Sequence, residues 1–475
     1  MKDKNVIIIV SDTLRRDHVG YFGNSSIRTP HLDRFAEQAS VFDYAFPSSF
    51  PTVPARADLF TGRHTFSYLG WSPLPKEEIK LAQLMSDAGY HSFGVTDVPF
   101  LLRHGYGYDQ GFADFHWVRG QLMGPTRDNA MSTWRTEADR FAPTTMRVAS
   151  EWLEQHYKDK FFLYVDTWDP HEPWQPPRHY IDLYNPDFVD ESSAYPTYWD
   201  WREAGFSQKD IDIAHTLYCA EVTMVDRAVG SLLERVESLG LMDNTIIIFL
   251  SDHGFYFGEH GLWGKGRYRA EGSHYLGPRQ DGQPRLSLTH RMEGSGEIVT
   301  DLKGEWYRGP LYEEVTRVPF LIYAPGYERY RSDAFVSLPD VMPTILELVG
   351  LEIPDRVQAR SLVKVLDGTA HSVRDFAVSS WPMYIPGERI RVVDDEERNM
   401  RENQPSTIRT KEWSMLYSIA GEPVELYNMI DDPKQEKNVF AENIDVAKHL
   451  HKQLFDYLAS LGTDDVFLNL RQNLQ

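Results

Sequence analysis

The chain has 475 residues, 41% hydrophobic and 25% charged, enough for one large domain with a smaller one attached. Its 49 Lys and Arg against 70 Asp and Glu leave a formal charge of −21, which opposes binding to nucleic acid or an anionic membrane. A small anionic substrate therefore needs a local cluster of cations working against the overall field.

In chain order, the first element is the apolar run Val6–Val10. It is too short for a secretory signal core or a bilayer span and reads as a buried parallel strand. Helical periodicity follows around Pro30–Ala39 and Leu81–Ala88, then a strand at Phe93–Val95. Met146–Glu154 reads as helix, Phe161–Val165 as strand and Asp210–Leu239 as a long helix. Thr245–Leu250 and Phe320–Tyr323 complete the strands. Such alternation predicts an α/β domain, a large, mostly parallel sheet with helices on both faces, over residues 1–370. Polar chemistry in such sheets gathers beyond the carboxyl ends of strands. Asp12, Thr96–Asp97, Asp166 and Asp252–His253 each follow or end a strand and are expected at one edge.

The texture changes near residue 370. Phe376–Ser380, Ser406–Arg409, Trp413–Ser418 and Glu425–Asn428 read as short strands of a meander, followed by a helix over Val446–Leu461. Residues 371–475 are thus expected to form a small antiparallel subdomain. Two long connections stand out. Gly266–Pro310 has no periodicity and suits a lid or substrate loop. Tyr195–Phe206, with Tyr195, Tyr198, Trp199, Trp201 and Phe206, suits a pocket wall or a homo-oligomer contact. The single cysteine, Cys219, excludes an internal disulfide, reads as a buried helix residue and suits a reducing, cytoplasmic compartment.

Six segments carry chemistry. Val10–Gly23 reads V-S-D-T-L-R-R-D-H-V-G-Y-F-G, and Pro51–Arg63 reads P-T-V-P-A-R-A-D-L-F-T-G-R. Asp169–Trp174 is D-P-H-E-P-W, and Ser251–Lys265 is S-D-H-G-F-Y-F-G-E-H-G-L-W-G-K. Tyr312–Phe320 is Y-E-E-V-T-R-V-P-F, and L-P-D-V-M-P-T-I spans Leu338–Ile345. In this order they resemble the sulfatase family of the alkaline phosphatase superfamily, in its sulfatase and phosphonate monoester hydrolase branch. E-L-Y-N-M-I-D-D-P (Glu425–Pro433) is similar to a turn in that family's C-terminal subdomain. The family signature, C/S-x-P-x-R followed by T-G-R, is matched at Pro54, Arg56, Thr61, Gly62 and Arg63. Its first position, which becomes formylglycine, is here Thr52.

The resemblance implies Asp12 as one metal ligand and Asp252–His253 as a second pair, with Thr52 at the same ion. It implies His171 facing the leaving group and Lys265 as an active-site lysine. Many family members carry a second aspartate where Thr13 stands. Hard carboxylate oxygens with one imidazole suit a divalent ion, Ca²⁺, Mg²⁺ or Mn²⁺, with Zn²⁺ also accommodated. Asp166 and Asp169 stand five and two residues before His171 and do not fit the Asp-x-x-x-His spacing of two-zinc phosphodiesterases, so one metal is expected. Arg56, four residues after Thr52, shares a helix face with it and can steady the nucleophile or a substrate oxygen. Thr96 and Asp97 are further candidates for substrate contact. Each has a plain alternative: Asp12 a helix cap, Asp252–His253 a turn pair, His171 a backbone partner. Lys265 would then be a surface charge, Arg56 a structural ion pair, and Thr96–Asp97 structural. His260 reads as loop support, and His18, Thr13 and Cys219 stay outside the expected site.

Threonine changes the chemistry implied. Formylglycine expels sulfate by eliminating back to the aldehyde, whereas threonine has a single hydroxyl and cannot. A phosphothreonine can be relieved by attack at phosphorus, which favours phosphate or phosphonate esters, diesters above all, as substrates. One alternative is a sulfatase acting through Thr52 by another route, or one in which threonine replaces a native cysteine. Another is a silent homologue that only binds anionic ligands.

Overall fold

The computed structural model describes residues 4–99, 101, 105–120, 134–189, 196, 198–270, 304–307, 309–383, 405–419 and 423–474. Eight strands form the main sheet: β1 (Asn5–Ser11), β2 (Ser40–Phe46), β3 (His91–Thr96), β4 (Asp114–Trp117), β5 (Phe161–Thr167), β6 (Thr245–Ser251), β7 (Phe320–Tyr323) and β8 (Arg331–Ser337). Their order is β8-β2-β7-β6-β1-β5-β3-β4, and only β7 runs antiparallel to its neighbours. β1 is central, paired in parallel with β5 (Ile7 beside Leu163) and with β6 (Ile7 beside Ile247). Every residue of β1, β5 and β6 is buried, which is why these strands read as continuous apolar runs. Ile7 and Ile9 enter one core layer, Val6, Ile8 and Val10 the opposite one.

Helices cover both faces. α1 (Pro30–Ala36), α4 (Phe141–His156) and α5 (Gln208–Ser238) cover one; α2 (Thr52–Thr61), α3 (Leu81–Asp87) and α6 (Val341–Leu348) cover the other. α5 begins at a capping box in which Ser207 and Asp210 satisfy each other's backbone N–H groups. α2 ends at Gly62, whose φ of 64° is the left-handed conformation that a helix stop favours. The sheet strands β2, β4 and β8 have no counterpart among the elements expected from sequence. β2 interrupts its apolar residues with Asp43, β8 opens with the polar Arg331, Ser332 and Asp333, and β4 is an exposed edge strand.

A second sheet is a four-stranded antiparallel meander of β9 (Ala377–Ser380), β10 (Ser406–Arg409), β11 (Trp413–Tyr417) and β12 (Glu425–Asn428). α7 (Ile444–Ser460) lays Ala447, Leu450, Leu454 and Leu458 against Ile408, Met415 and Leu426. The meander also reaches the main domain. Ser380 N–H donates to the Ser48 carbonyl at 2.8 Å and Phe50 N–H to the Ser380 carbonyl at 2.9 Å, two residues before Thr52.

The aromatic segment divides: Trp201 and Phe206 belong to the core, with Phe206 edge-on to Trp263 at 4.9 Å, rather than to a contact surface. Tyr195 lies outside the described residues. So does most of Gly266–Pro310, of which the structure gives Gly266, Gly309, Pro310 and the backbone pairing of Arg267–Ala270 with Gly304–Tyr307. Among the described residues no helix is long and apolar enough to cross a membrane.

Candidate active site

Adjacent parallel strands must end side by side, so β1 and β6 deliver Asp12 and Asp252 to one spot, and β5 delivers Asp166 near its end. α2 points its first residue, Thr52, at the same place, where the helix N-terminus favours negative charge. Thr52 is 1% exposed, and its hydroxyl lies 3.2 Å from His253 Nε2. His253 Nδ1 is 3.0 Å from the Gly254 carbonyl, which requires the proton on Nδ1 and leaves an electron pair on Nε2. Burial first, and then the charge of Lys265, push the His253 pKa down to about 3, so the ring is neutral.

The donor atoms of Asp12, Asp252 and His253 lie within 4.8 Å of one another. Asp12 Oδ2 is buried and accepts no hydrogen bond, and burial followed by the neighbouring Asp252 raises this carboxyl to about 6. Two crowded carboxylates, one with an oxygen that accepts no hydrogen bond, and an imidazole nitrogen with its electron pair exposed fit a hard divalent cation.

Arg56 is fully buried one turn into α2. Its Nε and Nη2 grip Asp166 at 2.8 and 2.7 Å, while Nη1 donates to Asp252 and lies 3.0 Å from Asp12 Oδ2. Burial opposes its charge, but Asp166, Asp252 and Asp12 hold its pKa above the ordinary value. It touches Thr52 only through the backbone carbonyl, at 3.2 Å. Three carboxylates thus occupy the guanidinium expected to steady the nucleophile or a substrate oxygen, and it holds Asp12 and Asp252 in place.

Lys265 follows the short strand Leu262–Gly264, and its Nζ lies 3.3 Å from Thr13 Oγ1 and 3.8 Å from Glu172 Oε1. His171, in the loop after β5, stacks on Trp168 at 4.0 Å, with Nδ1 2.6 Å from the Glu172 carbonyl. Burial and then Lys265 depress its pKa well below the ordinary value. Thr96 and Asp97 do not join this group. Thr96 Oγ1 caps the Val98 N–H at 3.0 Å. Asp97 accepts from the Trp168 N–H and from the hydroxyls of Thr145 (2.7 Å) and Thr167 (3.0 Å). The Asp97 carboxyl anchors the start of the His171 loop. His260 stacks on Tyr312 at 3.7 Å and approaches Glu314 at 3.3 Å.

Two residues, Thr13 and Glu172, enter that sequence reasoning had not placed here, and Asp166, expected only at this edge of the sheet, gains a definite partner. Thr13, at φ 62°, donates its hydroxyl to Asp12 at 2.6 Å and its N–H to Asp252 at 3.0 Å. Asp166 is the main partner of Arg56. Glu172 is buried with no hydrogen bond to either carboxyl oxygen, and burial, opposed by Lys265, raises its pKa to about 7. The adjacency of Glu172 to His171 was the one available signal. The folded protein holds this proton more tightly than an unfolded chain, whose glutamate titrates near 4.5. Glu172 therefore favours the folded state fully below pH 4.5 and loses that contribution as pH rises through about 7. Glu172→Gln should remove on the order of 3 kcal/mol of this pH dependence, measured as unfolding free energy at the two ends of the window. Identical profiles for parent and variant would show that no shifted proton resides there.

Comparison with known proteins gives this architecture its class. The chain superposes on the crystal structure of the phosphonate monoester hydrolase of Agrobacterium radiobacter with a TM-score of 0.69 and 20% identity, covering 96% of this chain and 95% of that one. This is a fold of the sulfatase and alkaline phosphatase type. A family model for sulfatases matches residues 4–351, and one for the C-terminal region of N-sulphoglucosamine sulphohydrolase matches residues 304–460. The chain belongs to the sulfatase family and is an ester hydrolase. It is 24% identical to an ulvan-active sulfatase of Formosa agariphila over 97% of its own length and 82% of that protein's. It is 23% identical to the multifunctional alkaline phosphatase superfamily protein PehA of Trinickia caryophylli, over 77% of each.

Proposed function

We propose that this sulfatase-family protein cleaves small anionic phosphate or phosphonate esters, diesters foremost, with Thr52 as the nucleophile. The observation that carries the reading is a buried threonine hydroxyl, not a formylglycine precursor, at the head of α2 and 3.2 Å from His253 Nε2. Relatives named as a phosphonate monoester hydrolase and as a multifunctional superfamily protein support phosphorus chemistry on this fold.

Asp12, Asp252 and His253 would hold one divalent cation, and such an ion supplies the charge that keeps the Thr52 oxygen ionised. Thr52 Oγ1 forms a bond to phosphorus as the ester oxygen leaves, and water later takes the phosphoryl group from threonine. Lys265 supplies positive charge beside the non-bridging oxygens, and its ammonium can give the leaving oxygen a proton. His171, neutral while the pocket holds only Lys265, gains basicity when an anion binds, because the anion offsets the charge that depresses it. Arg56 and Thr13 fix the carboxylates, and Asp97 fixes the loop bearing His171.

Lys265→Ala is expected to lower kcat/KM by ~10² or more, the scale of losing one transition-state charge contact. An unchanged rate would remove the lysine from the mechanism. The reading as a whole is tested by turnover of an aryl phosphodiester, an aryl phosphonate monoester and an aryl sulfate by the same metal-loaded protein. Faster cleavage of the phosphorus esters is expected. Dominant sulfate-ester cleavage would overturn it, and no turnover of any of the three would leave a binding protein.

A further inference from the structure

Outside the active site, three metal-ligating side chains converge. His18 ends the short helical turn Arg16–His18, and His215 and Cys219 stand one turn apart on α5. Their donor atoms lie within 4.8 Å of one another, with His18 Nε2 2.7 Å from His215 Nε2 and Cys219 Sγ 3.6 Å from that same nitrogen. His18 Nδ1 is 2.8 Å from Asp17 Oδ1. That carboxylate accepts the Nδ1 proton, so Nε2 presents its electron pair to the cluster, the arrangement in which an outer carboxylate orients a metal-binding histidine. Asp17 is itself clamped by Arg15, at 2.8 and 2.6 Å.

The surroundings are those of a built site. His18 is 5% and Cys219 7% exposed, while His215 is only partly buried and offers a way in. Tyr218 packs edge-on to His18 at 5.1 Å, and Phe257 lies 5.2 Å from His215. Two imidazole nitrogens this close must share either a proton or a cation. With the electron pair on His18 Nε2, this contact places the His215 ring proton on Nε2, and an ion takes that place as the proton moves to Nδ1. Burial pushes the Cys219 thiol up to about 12, so it enters as the thiol unless a cation displaces its proton.

We infer that His18, His215 and Cys219 form a second cation site, separate from Asp12, Asp252 and His253, for a thiophilic divalent transition metal, zinc foremost. Two imidazoles and a thiolate suit tetrahedral zinc, with water as fourth ligand on the His215 side. Bonds of ~2.0–2.1 Å to nitrogen and ~2.3 Å to sulfur require the two rings to separate by about half an ångström, which His215 can supply. Binding exchanges the S–H bond for an S–metal bond and releases one proton to solvent per ion. The ion ties the segment after Asp12 to α5 next to Tyr218, whose hydroxyl donates to the Thr13 carbonyl at 2.9 Å and accepts the Arg15 N–H at 2.9 Å. Its effect is therefore to brace the strand end that supplies the Asp12 ligand.

Cobalt(II) distinguishes the two sites, because only this one contains sulfur. Chelator-treated full-length protein titrated with Co²⁺ should develop a thiolate-to-cobalt charge-transfer band in the near ultraviolet, saturating at one equivalent and bleached by added Zn²⁺. Cys219 is the sole cysteine, so the band has one source. Cys219→Ser should abolish it while Co²⁺ still binds at the oxygen-rich site, and His215→Ala should weaken Co²⁺ binding at the sulfur site at least tenfold. A parent protein that binds Co²⁺ without this band overturns the inference even if neither variant folds. So does a band that survives in Cys219→Ser.

Discussion

Thr52→Ala is expected to lower kcat for a phosphodiester or phosphonate monoester by ~10³ or more, the scale on which losing a covalent nucleophile removes activity. The substitution deletes one hydroxyl and one methyl at the head of α2. Asp12, Asp252, His253 and the Arg56 cluster remain, so metal content and circular dichroism should match the parent. The hydroxyl is buried at 1% exposure and lies 3.2 Å from His253 Nε2, a place the alanine side chain leaves without oxygen. Rates equal to the parent would mean that water attacks the substrate directly, or that no reaction occurs at this site.

Arg56→Ala should cost stability rather than a contact with substrate. The guanidinium is the sole cation that hydrogen-bonds Asp166 and Asp252 among the described residues, and it also faces Asp12. Removing it strands three buried carboxylates, and loss of one partner from a buried ion pair costs about 3–5 kcal/mol. A divalent ion at Asp12 and Asp252 offsets part of this repulsion, so the loss in thermal midpoint should shrink as metal is added. Arg56→Lys should rescue poorly, because one ammonium cannot reproduce the two-pronged grip on Asp166 together with the bond to Asp252. A variant within ~0.5 kcal/mol of the parent would contradict the ion-pair account.

The sheet was legible where strands are buried on both faces, because β1, β5 and β6 then read as unbroken apolar runs. Their ends named Asp12, Asp166 and Asp252 for the same reason. Strands with an interior aspartate, β2 and β8, were not legible, since their pattern matches neither strict alternation nor a continuous run. At the site, the resemblance to the sulfatase family pointed to Thr52, Arg56, His171, His253 and Lys265. It could not show that Arg56 would turn to Asp166 and Asp252, 110 and 196 residues away. Asp97 was open between two readings on the same ground: a strand-end carboxylate looks alike whether it faces a pocket or caps the next loop, as Asp97 does at Trp168. Thr13 was passed over because its left-handed backbone, which turns its N–H to Asp252 and its hydroxyl to Asp12, leaves no trace in residue type.

The stereochemical course at phosphorus tests most directly whether Thr52 carries the phosphoryl group. Each in-line displacement inverts the phosphorus centre, so attack by Thr52 followed by attack of water gives net retention. Hydrolysis of a phosphodiester made chiral by sulfur substitution, run in isotopically labelled water, reports this in the configuration of the product. Retention is the predicted result; inversion would mean that water attacks the ester in a single step, and would contradict Thr52 as the nucleophile.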